Sequence, residues 1–187
     1  LKAEKINFTF PMLEDLLMSE MSRRNTDLVA GVILQKPELT EELFQVYFRN
    51  EEPVSRRAAW VLDTVTEKSP QLLKGRIDRM AETLSLFTHN GLKRHTLRML
   101  ARSPLPGRNQ IGPLIDLCFN WLLSPTVAVA TKIYCMDLLY RISEIEPEIK
   151  PELAGSIEWR LNEEFPGFRS HGKKMLKKLY SEIHSQP

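Results

Sequence analysis

Arg94, Arg98 and Arg102 recur at every fourth residue, and a helix would carry all three along one face. A row of guanidinium groups binds anions, since its forked N–H donors match carboxylate and phosphate oxygens. The row sits in a basic band. Residues 54–110 hold 11 basic and 4 acidic side chains, against 6 and 10 in residues 1–53, 4 and 9 in 111–166, and 5 and 1 in 167–187. The chain of 187 residues has a net charge of only +2. That balance excludes a histone-like composition and leaves local patches to carry any electrostatic recognition.

Covalent and metal chemistry find no comparable pattern. His89 and His95 are six apart across Asn90-Gly91, and no carboxylate is spaced to complete a metal triad with them or with the distant His171 and His184. Cys118 and Cys135 sit in separate apolar stretches without a CxxC, and read as buried thiols of a reducing compartment. HExxH, GxGxxG, GxxxxGK and GxSxG are missing, and GSIEWRL at 155–161 lacks the second glycine of a nucleophile elbow. Glu41–Glu42 and Glu163–Glu164 are consecutive, so neither pair converges on one helix face, and Glu144, Glu146 and Glu148 straddle Pro147. No catalytic residue, metal or cofactor is assigned, and the chain reads as a binding protein rather than an enzyme. No window reaches the run of about 18–20 apolar residues that spans a bilayer. The first ten residues, LKAEKINFTF, lack the apolar core and cleavage site of a secretory leader. The expectation is a cytoplasmic protein with no membrane segment.

The elements that must position these residues are helices. No sustained alternation of apolar and polar residues marks a strand. Twelve prolines fall mostly between segments whose apolar residues recur at three and four. The spacing predicts helices over 11–21, 25–35, 40–49, 54–68, 70–88, 92–102, 110–123, 126–144, 149–164 and 169–184. Thr40, Ser69-Pro70 and Ser124-Pro125 are the expected start signals. Linkers are short, so successive helices should pack antiparallel in a single domain over 1–187.

The helices group into pairs. Aligned on a leading apolar residue, the second helices begin at Val54, Leu92, Val127 and Phe168, at offsets of 38, 35 and 41 residues. A small or modest residue follows four on, as Ala58, Thr96, Thr131 and Gly172. Larger ones follow at about seven or eight, as Val61-Leu62, Met99-Leu100, Tyr134-Cys135 and Met175-Leu176. The small position would let a partner helix approach, and the larger ones would fill the seam between pairs. Residues 126–144, apolar on several faces, should form the best-covered helix.

With this period the chain resembles the HEAT/armadillo superfamily of helical repeats, whose two-helix units recur at about 40 residues. RRAAWVL at 56–62 is similar to the arginine–alanine–alanine run of a HEAT second helix. Lys132 departs from the pattern, standing where alanine is expected. The resemblance implies an all-α, right-handed helical-repeat solenoid of about four pairs, 38–68, 70–102, 109–144 and 148–185, with 11–35 as an N-terminal helical cap.

In such solenoids the second helices line the concave surface. The repeat alignment puts Arg56 at the position of Arg94, Arg57 at that of His95 and Trp60 at that of Arg98. The candidate concave-face residues are therefore Arg56, Arg57, Trp60, Arg94, Arg98, Arg102, Lys173 and Lys174, and Trp60 is the expected exposed tryptophan. The resemblance implies a protein or peptide partner on that face, with nucleic acid as the alternative through the 54–110 band. One branch of HEAT-like proteins excises alkylated bases from DNA with an aspartate, tryptophans and basic residues. Trp60, Asp63, Arg94 and Arg98 supply those residue types, but that family's motif does not map onto this chain residue by residue.

Overall fold

The computed structural model describes residues 10–162 and 165–184. Among these residues there are ten α-helices, three short 3₁₀ turns and no strand. The chain divides into two compact units, Leu1–Lys74 and Gly75–Pro187. Unit 1 contains α1 (Phe10–Met18), α2 (Arg23–Gln35), α3 (Thr40–Phe48) and α4 (Val54–Lys68). Unit 2 contains α5 (Ile77–Leu84), α6 (Asn90–Arg102), α7 (Arg108–Leu123), α8 (Val129–Ile142), α9 (Lys150–Leu161) and α10 (Pro166–Ile183).

In both units the second helix of a pair is the hub. In unit 1, α4 packs on α1, α2 and α3, and Leu17, Ile33, Leu43, Phe44, Tyr47 and Leu62 form the core. In unit 2 the second helices α6, α8 and α10 lie side by side, and the first helices α5, α7 and α9 form a layer beneath them. The small position follows this logic. Ala58, Thr96, Thr131 and Gly172 are all buried, and a Cβ on Gly172 would meet Ile157 Cγ2 of α9 at 3.0 Å. Of the larger residues at seven and eight, only Tyr134 is left half-exposed.

Three of the links between pairs share one turn. Lys36-Pro37, Ser69-Pro70 and Glu146-Pro147 each open a 3₁₀ segment, and the residue before proline has φ/ψ of −130/73, −136/69 and −123/71. Proline bars its predecessor from the α region, which ends the incoming helix. The turn then closes through N–H donation from Leu39, Leu72 and Ile149 to the carbonyls of Lys36, Ser69 and Glu146. Buried Leu39, Leu73 and Ile149 anchor the three links to the core.

Several expected boundaries move. The span 70–88 is not one helix: a 3₁₀ turn at Pro70–Leu73 precedes α5, and Gly75 between them takes a positive φ of 76°. The helix expected from 126 starts at Val129, and Val127, Val129, Ala130 and Ile133 at its open end are only half-buried. Its remaining turns bury Cys135, Met136, Leu138, Leu139 and Ile142 as expected. The last two positions of the span 149–164, and with them Glu163–Glu164, lie outside the described residues. Thr40 is already helical and does not cap, and neither does Ser69. Among the described residues Ser22 caps by accepting from the Asn25 N–H, and His89 by accepting from the Gly91 N–H at Nδ1.

Two glycines test this packing. Gly172→Val should destabilise the protein by about 1–3 kcal/mol through overpacking against Ile157 and Leu161. Gly155→Ala, with open space around its Cβ in α9, should stabilise by about 0.5–1 kcal/mol. Urea unfolding midpoints should therefore move in opposite directions at an unchanged slope.

Candidate functional site

On α6 the arginine row is laid out as its spacing requires. Arg94 and Arg102 are exposed and Arg98 half-buried, while His95, Thr96, Leu97, Met99 and Leu100 between them are buried. An Arg94 Nη lies 3.1 Å from His95 Nε2, so an exposed guanidinium leans on a buried ring. Lys93 points the other way, with its ammonium 4.7 Å from the centre of the Trp121 ring on α7. Trp121 is half-buried in that seam, as its spacing from Leu117 suggests.

Unit 1 treats its two expected arginines differently. Arg56 is half-buried, its Nε donating to Glu52 Oε2 at 3.0 Å and an Nη to the Met21 sulfur at 3.3 Å. Arg57 donates from Nη1 to the Leu17 carbonyl in the last turn of α1 at 3.0 Å. A helix C-terminus leaves carbonyls without intrahelical donors, so Arg57 caps the end of α1 from α4. Trp60 is half-buried beside Leu17, Met21 and Arg57, around a cleft of about 10 Å³. The exposed tryptophan is Trp159 on α9, at 73%. Asp63 is wholly buried, so it presents no carboxylate to a substrate base.

Lys173 and Lys174 on α10 are both exposed. Consecutive residues diverge by about 100° around a helix, so they do not share a face. The side of α10 that meets α8 carries other groups. His171 Nε2 lies 2.7 Å from Asp137 Oδ1, Lys178 stands over the Tyr140 ring at 5.3 Å, and the Tyr140 hydroxyl donates to Glu182. Lys150 of α9 closes the cluster with an ion pair to Glu182 at 2.8 Å. The Lys150 bond, then the Tyr140 bond, hold Glu182 below the usual carboxylate range. The Glu182 bond, reinforced by burial, pushes the Tyr140 phenol up to about 12.

This seam escaped sequence reading because Tyr140 and Glu182 are 42 residues apart and no local spacing joins them. Arg141 escaped it for the same reason. Its Nη1 donates to the Leu100 and Ala101 carbonyls at 3.1 and 2.7 Å, capping α6 from α8. It does in unit 2 what Arg57 does in unit 1.

The remaining chemistry is quiet. Cys118 and Cys135 are free, buried thiols. Burial, and then the hydrogen bond to its neighbour Cys118, push the Cys135 thiol well above its ordinary range, the opposite of an activated nucleophile. Among the described residues no three His, Cys, Asp or Glu side chains cluster as metal ligands, and no helix is long and apolar enough to cross a membrane.

The Tyr140–Glu182 bond has a spectroscopic signature. The folded state holds the phenol proton more tightly than the unfolded chain, whose ordinary value is 10.0. The associated stabilisation is therefore full below pH 10.0 and lost as pH rises through about 12. Ultraviolet titration should show a phenol ionising near 12 that Tyr140→Phe removes and Glu182→Gln returns toward 10.0. An unchanged titration in Glu182→Gln would dismiss the bond as its cause.

The family model of the HEAT repeat domain matches residues 13–179. Searches of the curated proteins and of the solved structures find no match to the chain.

Proposed function

The chain belongs to the HEAT repeat family, whose repeats generally serve as scaffolds for protein interactions, and from that premise we propose that it is a non-enzymatic scaffold for an acidic protein or peptide partner. The partner docks on the side formed by the second helices, the concave face that the family resemblance implies. The observation that carries this reading is the outward row Arg94, Arg98 and Arg102 on α6, set above buried neighbours. A helix so anchored holds its guanidinium groups at fixed spacing, which sets the register of an acidic partner and speeds its encounter.

Lys174 extends the cationic side across α10, and Lys173 serves its flank. Between α6 and α10, half-exposed Ile133 and Tyr134 on α8 offer apolar contact. In unit 1, Arg56, Trp60 and the exposed Met21 form a smaller patch of similar composition, a guanidinium beside an aromatic and a thioether. Aromatic and arginine side chains are the residue types that most often anchor protein interfaces.

Fluorescence anisotropy separates a protein partner from nucleic acid. Two labelled probes, a glutamate-rich amphipathic peptide and a mixed-sequence DNA duplex, would be titrated at ~50 mM and ~200 mM salt. The proposal expects saturable peptide binding, weakened ~10-fold or more by Arg94→Glu with Arg98→Glu. Duplex binding that falls by about 10³ or more between those salts would imply several phosphate contacts. That result, with no binding of the peptide, would overturn the proposal in favour of nucleic acid.

A further inference from the structure

The first-helix layer of unit 2 carries a feature that the cationic row does not use. An open groove of about 460 Å³ runs between α5 and α7. Its direction follows from two bonds. The Gly107 N–H donates to Asp78 Oδ1 at 2.8 Å, and Gln110 Nε2 donates to Glu82 Oε1 at 2.8 Å. Because the partners advance together along both helices, α5 and α7 run parallel. The groove then continues from Gln110 to Asn120, ten residues of α7 or about 15 Å. That length accepts roughly three turns of a docked helix.

The chemistry of the groove is particular. Ala81, Pro113 and Leu117 give it an apolar floor, and Glu82 and Asp116 stand on its two walls. Asp116 has no ion-pair or hydrogen-bond partner for its carboxylate among the described residues, and Glu82 is held only by the neutral Gln110 amide. Both acids are exposed. Beyond the walls, Leu86 after α5 and Leu123 at the end of α7 are 65% and 41% exposed. Pro113 sits inside α7, at a position where proline removes the donor to the carbonyl four residues back and costs about 3 kcal/mol. Gly112 beside it has open space where a Cβ would stand. An apolar floor between two unneutralised carboxylates complements an amphipathic helix whose apolar stripe is flanked by lysine or arginine.

We propose that the α5–α7 groove is a second docking surface, for a basic amphipathic helix of a partner protein. Its apolar side chains fill the floor over Ala81 and Leu117, and its flanking cations pair with Glu82 and Asp116. This surface is opposite in charge preference to the α6 row and does not depend on it. One chain can therefore hold an acidic segment on its second helices and a basic one on its first helices, and like-charged segments are turned away from each.

The test uses the full chain and two synthetic helical peptides of about 18 residues, one of leucine and lysine, the other of leucine and glutamate in the same pattern. Fluorescence anisotropy should show the lysine peptide binding saturably. Glu82→Lys with Asp116→Lys should weaken it by ~10-fold or more and improve the glutamate peptide. Arg94→Ala with Arg98→Ala should leave the lysine peptide unchanged, which separates this proposal from the one on the second helices. Equal lysine-peptide affinity for the native chain and the Glu82–Asp116 double variant would overturn it. So would absence of lysine-peptide binding up to ~1 mM, a level at which even weak docking registers. Circular dichroism melts of the double variant should match the native chain, because both sites are on the surface.

Discussion

At Gly172 a side chain would crowd its neighbours: a Cβ would lie 3.0 Å from Ile157 Cγ2 and 3.3 Å from Leu161 Cδ2. The equivalent Ala58, Thr96 and Thr131 are each wholly buried. A second helix is approached by its own first helix and by neighbouring second helices, and packing at interior density allows no slack at the point where these surfaces meet. The rest of the structure depends on this constraint. Small residues there set the interhelical distance, the larger residues three and four positions on fill the seam it defines, and the polar groups left over are turned outward at fixed intervals.

Close packing of helices also creates a polar difficulty, since each helix end brings carbonyls without donors near an apolar core. The chain answers it with arginines borrowed from another helix. Arg57 reaches the end of α1, and Arg141 reaches the end of α6. Tyr140, Glu182 and Lys150 join α8, α10 and α9 in the same spirit, through charge-assisted bonds. These residues have the same chemistry as surface ligands but are used internally. The division of labour among the basic side chains is therefore geometric: Arg57 and Arg141 reach helix-end carbonyls and serve as structure, while Arg94 and Arg102 stay exposed.

Two surface features of unit 2 are opposite in charge. The second helices expose Arg94 and Arg102, with Arg98 half-buried between them, and the first helices expose Glu82 and Asp116 beside an apolar groove. Separation of charge between helix layers explains how a chain with a net charge of +2 can still be strongly charged locally. Repeats favour such an arrangement, because each layer is a continuous surface built from equivalent helices.

The helical class, the paired organisation, most helix positions and the small-residue register were legible in the sequence. All four follow from interactions between residues three to eight apart, so local spacing encodes them. Pro37, Pro70 and Pro147 also announced the links between pairs, since a pre-proline residue cannot continue a helix. Sequence did not reveal that 70–88 would break at Gly75, because the segment's apolar spacing is helical on both sides of the break. Nor did it separate Arg57 from Arg56, or Trp60 from Trp159. Residue type fixes what a side chain can do, but whether a carbonyl, a sulfur or water lies beside it depends on elements 35 to 42 residues distant, as with Met21 for Arg56, Leu17 for Arg57 and Glu182 for Tyr140. The sequence by itself determined the repeat and the face on which each arginine rides. Only the tertiary structure decided which of them were consumed in holding helices together, because that choice is made by contacts across the packed layers.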